Sequence, residues 1–261
     1  MSAPTAVEAT GGPAPTRGRG LLREHRRLVV QPLAVLAVLG AYALWLATTE
    51  VPGTAAALLT PSSVLALTLE HLRLTAVAGL VVLLVGVPLG VLLTRPRLRR
   101  LAGPVVLVAN FGQAAPAVGL VVLLAVWLGA NFRTAVLALV LYGVLPVLAG
   151  TITGLRGVEP RLVEAGRGMG MSGAAVLRRV ELPLAVPVML SGIRTALVLL
   201  VGTATLAAFV NGGGLGELVV TGINLADTLL LASGALLAAL LALLVDWVAR
   251  VVEEVARPRG L

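Results

Sequence analysis

The chain has 261 residues, 58% of them hydrophobic and only 12% charged, and its mean hydropathy is +1.02. A soluble domain of that length has too little interior to hide so much apolar surface, so the composition excludes an ordinary soluble enzyme and points to a polytopic membrane protein. The net charge of +8 does not indicate nucleic-acid binding, because the arginines stand in short stretches beside apolar blocks and are not interleaved with aromatics.

Residues 1–27 are rich in Ala, Gly, Pro and Thr and close on R-G-R-G-L-L-R-E-H-R-R. This reads as a disordered tail ending in a basic patch. A cleaved signal peptide is the alternative; the length of the tail and the lack of an A-x-A site after the apolar run favour a retained first span. A bilayer core of about 30 Å needs about 20 mainly apolar residues in a helix. Six blocks qualify, at about 28–47, 74–94, 104–129, 134–153, 189–210 and 228–249. They lack strand-like alternation, so the expected class is all-α with six transmembrane helices. The third block holds Asn110, Gln113 and Pro116, and the proline predicts a kink or break there.

All 20 basic residues are arginine, which with abundant Ala, Leu, Val and Gly reads as genome composition. In a six-span arrangement 18 of them fall on one side and only Arg73 and Arg133 on the other. The positive-inside rule then predicts that both termini are cytoplasmic. There is no cysteine, and His25 and His71 lie apart with no carboxylate cluster, so no metal site is expected. Asp246 and Arg250, four apart on the last block, predict a local ion pair.

Between the fourth and fifth blocks lies the longest hydrophilic interval, V-E-A-G-R-G-M-G-M-S-G-A-A-V-L-R-R-V-E-L-P from Val163 to Pro183. A short helix is predicted at about 160–168, after Pro160 and carrying Glu164. A second, capped by Ser172, is predicted from Ala174 to Leu182, where Pro183 ends it. Gly170 between them can adopt a backbone shape closed to other residues. Taken alone, the pattern describes two short helices lying on the membrane surface.

The spacing of Glu164-Ala165-Gly166, Gly170 and Val180-Glu181-Leu182-Pro183 resembles the E-A-A-x-x-x-G-x(9)-I-x-L-P signature of membrane subunits of ATP-binding-cassette (ABC) importers, with Gly166 and Val180 departing from it. T-L-E-H-L-R-L-T (68–75), V-P-L-G-V (87–91), L-Y-G-V-L-P-V-L-A-G-T-I-T-G-L (141–155), S-G-I-R-T-A (191–196), G-T-A-T-L-A-A-F-V-N-G-G-G-L-G-E-L (202–218) and A-L-L-A-L-L-V-D-W (239–247) make the chain similar to permeases of glycine betaine, choline, carnitine and proline osmoprotectant importers. The resemblance implies a type I (MetI-like) permease domain over 68–250. It leaves the tail 1–27, a first helix and external loop 28–67, and a C-terminal tail 251–261 outside. Methionine and phosphonate permeases share the loop and remain the alternative.

The same resemblance implies a bacterial inner-membrane subunit without catalytic residues or a cofactor of its own. A second permease chain, an extracytoplasmic substrate-binding protein and a cytoplasmic ATPase dimer that binds ATP are the implied partners. Glu164, Ala165, Gly166, Gly170, Leu182 and Pro183 are then the ATPase-coupling loop. The chain has no G-x-x-x-x-G-K-[ST] phosphate loop of its own.

Other residues have two readings. Asn110, Gln113 and Pro116 line a translocation path or make interhelical hydrogen bonds. Asn211 and Glu217, flanking the Gly-rich loop, gate the pore or touch the binding protein, or are ordinary loop polars. Arg178 and Arg179 meet lipid phosphates or are solvated charges. The eight aromatics do not cluster, so recognition of a quaternary ammonium is expected in the binding protein. A stand-alone secondary transporter would need charges buried within the spans for ion coupling. Spans two to five offer almost none besides Arg194.

Overall fold

A computed structural model describes residues 17–51 and 53–256, with side chains from residue 28 onward. Among these residues there are eleven α-helices and no strand. In chain order they are α1 (Arg17–Thr48), α2 (Gly53–Leu58), α3 (Pro61–Thr94), α4 (Ala102–Ala114), α5 (Ala117–Leu128), α6 (Phe132–Arg156), α7 (Pro160–Gly168), α8 (Gly173–Val176), α9 (Leu182–Thr203), α10 (Gly216–Leu225) and α11 (Thr228–Ala256). Five are long and apolar enough to cross a bilayer: α1 from Leu28, α3, α6, α9 with its flanking turns, and α11. The sixth candidate is the pair α4–α5, bent by 96°.

Local chemistry sets many of the ends. Thr60 accepts from Ser63 N at 3.3 Å ahead of Pro61, and Asn131 Oδ1 accepts from Thr134 N at 3.1 Å. Asp227 Oδ1 accepts from Leu229 N and Leu230 N at 2.9 and 3.2 Å. Each satisfies donors that a helix start leaves without a partner.

The sequence places the break in the third span at Pro116, and the helix stops there, between Ala114 and Ala117. The Ala115 carbonyl, released by the break, accepts a hydrogen bond from the Tyr142 hydroxyl of α6.

Two expectations are corrected. Pro183 does not end a surface helix. A π-helical turn, Leu177–Glu181, joins α8 to α9, so the helical course runs on into the fifth span. In that turn Leu182 N donates to Leu177 O, five residues back, and the proline sits in the first turn of α9. The widened turn accommodates the missing donor and the bulk of the ring. The basic stretch 17–27 is helical and continuous with the first span, not a disordered tail. A helix already nucleated by its apolar part extends into neighbouring Arg, Leu and Glu residues at little cost. Residues 1–16 and 257–261, parts of the two expected tails, lie outside the described residues.

Helix α6 is the centre of the bundle, packed between α3 and α9. Leu74, Ala78 and Val82 of α3, Ala135, Ala138, Leu139 and Val147 of α6, and Ala196 and Leu200 of α9 form the main core. The α6–α9 crossing is tight at Gly150 and Gly192: a Cβ on Gly192 would lie 2.6 Å from Pro146 O and 3.1 Å from Gly150 Cα. Small residues at a crossing let helix backbones approach within a membrane, where no hydrophobic drive favours one apolar neighbour over another. Helix α1 lies on α11, where Trp247 Nε1 donates to Leu28 O at 2.7 Å and Gln31 Nε2 donates to Leu243 O at 2.9 Å.

Candidate functional site

Helix α7 begins with Pro160, whose absent N–H has no role at a first helical position. Met171 N donates to Gly166 O at 3.1 Å and Gly170 N to Arg167 O at 2.9 Å. This paired closure requires the left-handed residue that Gly170 supplies with φ 83°. Ser172 then caps α8, accepting from Ala175 N at 3.3 Å. The chain reverses within a few residues and α7 lies against the following turn. Gly166 is buried there, and a Cβ on it would lie 3.4 Å from Val176 and 3.6 Å from Val180.

The inner face of this hairpin is apolar. Val163, Leu177 and Leu182 pack on Leu155, Val158, Ala185 and Met189, with Val87 and Val91 of α3. Glu181 is buried and accepts from Arg95 Nη2 at 2.5 Å. Arg95 caps α3 and also donates to Thr94 Oγ1, 2.9 Å from Nη2. The hairpin is therefore seated on the ends of α3, α6 and α9. Its outer face presents Glu164, Ala165 and Gly170, with Pro183 also exposed and Leu182 half-buried. Arg178 and Arg179 are exposed on the same segment. Such an element can offer a carboxylate and a small-residue ridge to another protein while its base stays fixed to three helices.

Toward the other end of α3, about 37 Å from Arg95 at 1.5 Å per residue, Glu70 holds the Gly-rich loop. Its Oε2 accepts from Gly214 N at 3.2 Å. Gly214 has φ 88° and passes so close to His71 that a Cβ would lie 3.0 Å from the ring. His71 is fully buried, and its Nε2–H donates to Val201 O at 2.9 Å. A cavity of about 320 Å³ opens beside the loop, lined by Glu70, Arg73, Phe132, Asn211 and Glu217 with two glycines. The Arg73 guanidinium lies 5.2 Å from the Phe132 ring centroid, within cation–π range. Partial burial pushes the Glu217 carboxyl above its ordinary range, and the Glu70 charge adds to the shift. Asn211, at φ 56°, turns the chain into the loop.

The structure thus brings Asn211 and Glu217 into one cavity, whereas Asn110, Gln113 and Pro116 do not line it. Asn110 and Pro116 are exposed on the bent pair α4–α5 and Gln113 is half-buried there. Glu70 and Arg73 were missed from sequence. The available signal was two opposite charges three apart at the head of an apolar run, on one helix face. The Asp246–Arg250 pair forms at 3.0 Å, but within a wider network in which Arg194 Nε donates to Asp246 at 2.6 Å and Gln31 Nε2 at 3.1 Å. Among the described residues no group of three His, Cys, Asp or Glu side chains meets as a metal site requires.

Comparison with known proteins sets these features in a family. Residues 86–257 match the family model described as binding-protein-dependent transport system inner membrane component. The choline transport system permease protein OpuBB of Bacillus subtilis is 41% identical over 194 residues, covering 74% of this chain and 88% of its own. The glycine betaine/carnitine/choline transport system permease protein OpuCB of the same organism is 41% identical over 192 residues, covering 74% and 88%. The osmoprotectant import permease protein OsmW of Salmonella typhimurium is 40% identical over 200 residues, covering 75% and 92%. The fold matches a chain of the inward-facing MetNI methionine ABC transporter with a TM-score of 0.65 at 23% identity, covering 75% of this chain and 96% of that one. The chain belongs to the family of inner membrane components of binding-protein-dependent transport systems.

Proposed function

We propose that this chain is the pore-forming permease of an ATP-driven importer for osmoprotectants of the choline, glycine betaine, carnitine and proline class. The observation that carries the substrate class is the identity of about two residues in five with permeases named for choline and glycine betaine. In this reading the 68–250 unit pairs with a second permease chain, a substrate-binding protein delivers the solute from outside, and an ATPase dimer binds and hydrolyses ATP. The chain itself is non-catalytic and holds no cofactor. Glu164, Ala165 and Gly170 form the docking surface for the ATPase; buried Gly166 lets α7 lie close on the turn behind it, Leu182 anchors the hairpin, and Pro183 opens the helix that follows. Asn211 and Glu217, with Glu70 and Arg73, stand at the extracytoplasmic mouth. Asn110, Gln113 and Pro116 belong to the path between the two permease chains. The test is reconstitution in liposomes with the neighbouring ATPase and binding protein. Choline or glycine betaine stimulates ATP hydrolysis and methionine does not. Solute accumulation by the chain alone, or stimulation by methionine only, overturns the reading.

The same proposal places both termini in the cytoplasm of the bacterial cell, next to the inner membrane. Native cysteines are absent, so single cysteines report sidedness directly. Glu50→Cys, in the exposed link between α1 and α2, should react with an impermeant thiol reagent added to intact cells. Met169→Cys, on the exposed tip of the hairpin, should react only after the cells are opened. The reverse pattern refutes the orientation.

A further inference from the structure

We propose that the Arg95–Glu181 ion pair is a strut that carries displacement of the hairpin into α3, making both side chains positioning residues for transport. The inference rests on the importer reading above. Glu181 is the only buried carboxylate among the described residues. Arg95 keeps about 30% exposure while Glu181 is buried, and such a pair gains little stability over a well-packed apolar one, because desolvation of the carboxylate offsets much of the attraction. The apolar seat of Leu155, Val158, Ala185 and Met189 already holds the hairpin without it. Stability alone is thus a weak account of why a charge is kept here.

Position supplies a better one. Glu181 is the last residue of the π-helical turn between hairpin and α9. Such turns are rare and occur frequently at functional sites. A push on α7 transmitted only along the chain must pass through that irregular turn. The pair bypasses it. Arg95 is held at its own end by Thr94 Oγ1, 3.2 Å from Nε and 2.9 Å from Nη2, and by Val91 O, 3.4 Å from Nε. Its guanidinium is therefore oriented by α3 and not free to follow the hairpin. Helix α3 continues through Pro88 without a break to Glu70, which grips the Gly214 amide beside the outer cavity. One helix thus has the hairpin fixed to one end and the outer loop fixed to the other.

The test uses the complete complex of permease, ATPase and binding protein. Arg95→Met/Glu181→Leu removes both charges and leaves neither group unpaired. We expect normal recovery of the complex on an affinity-tagged ATPase, with solute stimulation of hydrolysis reduced at least about tenfold, equivalent to one factor of ten in coupling. A purely structural pair predicts wild-type stimulation, because the apolar replacement is well tolerated. Arg95→Cys/Glu181→Cys is the second variant and covers a double replacement that fails to assemble. It should be poorly stimulated when reduced and regain stimulation when a short bis-thiol reagent bridges the two positions. Stimulation within about twofold of wild type in the unbridged form of either variant overturns the proposal. An unstimulated wild-type complex is a different result: it overturns the importer reading and the strut with it.

Discussion

Gly192→Leu is expected to prevent recovery of a folded permease. The position has no room in any rotamer, because the obstruction begins at Cβ: Pro146 O would lie 2.6 Å away and Gly150 Cα 3.1 Å away. Both obstacles are backbone, and a backbone cannot rotate aside as a side chain can. The α6 and α9 axes must separate, and α6 is the helix on which α3 and α9 both pack. Overpacking a core costs about 1–3 kcal/mol and occasionally more, and a backbone clash at the central crossing belongs at the upper end. On a chain of this size 3 kcal/mol corresponds to a melting shift of about 6–12 °C. Gly202→Leu is the matched control: it lies on the next turns of the same region, with nothing within 4 Å of a Cβ. Size-exclusion chromatography and thermal melting in detergent should show loss or strong destabilisation for Gly192→Leu and a wild-type profile for Gly202→Leu. Equal behaviour of the two variants would mean that the α6–α9 approach does not limit packing.

What was legible in the chain was whatever local chemistry decides. Helix α7 runs from Pro160 to Gly168, where the proline start and the glycine-rich close predict it. The apolar block at 134–153 becomes α6, Phe132–Arg156. Ser172 caps its helix as its side chain allows, and Asp246 meets Arg250 one turn away. Prolines show where local reading stops. Pro32, Pro88, Pro146 and Pro187 all lie inside helices, and Pro183 is taken up by the widened turn before it. Among the described candidate spans, the one sharp bend is at Pro116, where a tyrosine from another helix donates to the freed carbonyl. The same residue type thus has opposite outcomes according to a neighbour that is distant in sequence. The partners of the charges were hidden for the same reason. Arg95 and Glu181 are 86 residues apart, and Arg194 and Asp246 are 52 apart. No periodicity links such pairs, so Glu70 and Glu181 stood in segments read for their motif spacing with no partner assigned to either.

Glu164→Lys is expected to leave the permease inserted and folded but unable to couple. Glu164 is exposed on α7 and is not part of the apolar seat beneath the hairpin, so the substitution changes what α7 presents and not what holds it. Its neighbours three residues away are Arg161 and Arg167, and a lysine between them costs the helix only about 0.2–0.5 kcal/mol per like-charge pair. At a protein interface the loss is larger. A hydrogen bond to a charged group contributes about 1.5–3 kcal/mol, so ATPase affinity should fall about ten- to hundredfold. Solute-stimulated hydrolysis should fall with it. Glu159→Lys tests whether this is site-specific or merely added positive charge. Glu159 is also exposed, one residue before α7, and its carboxylate pairs with Arg161 at 4.0 Å. It should weaken ATPase binding no more than about fivefold, the upper range of an exposed ion pair. Gly170→Leu acts differently, since a Cβ there meets nothing within 4 Å. Its cost is conformational, about 1–2 kcal/mol for a side chain held left-handed, and it should loosen the turn that fixes α7 against α8. Binding of each variant to the immobilised ATPase, followed by hydrolysis in liposomes, decides the matter. Unchanged affinity in Glu164→Lys, or an equal loss in Glu159→Lys, would remove Glu164 from the docking surface and leave the hairpin's shape alone to account for coupling.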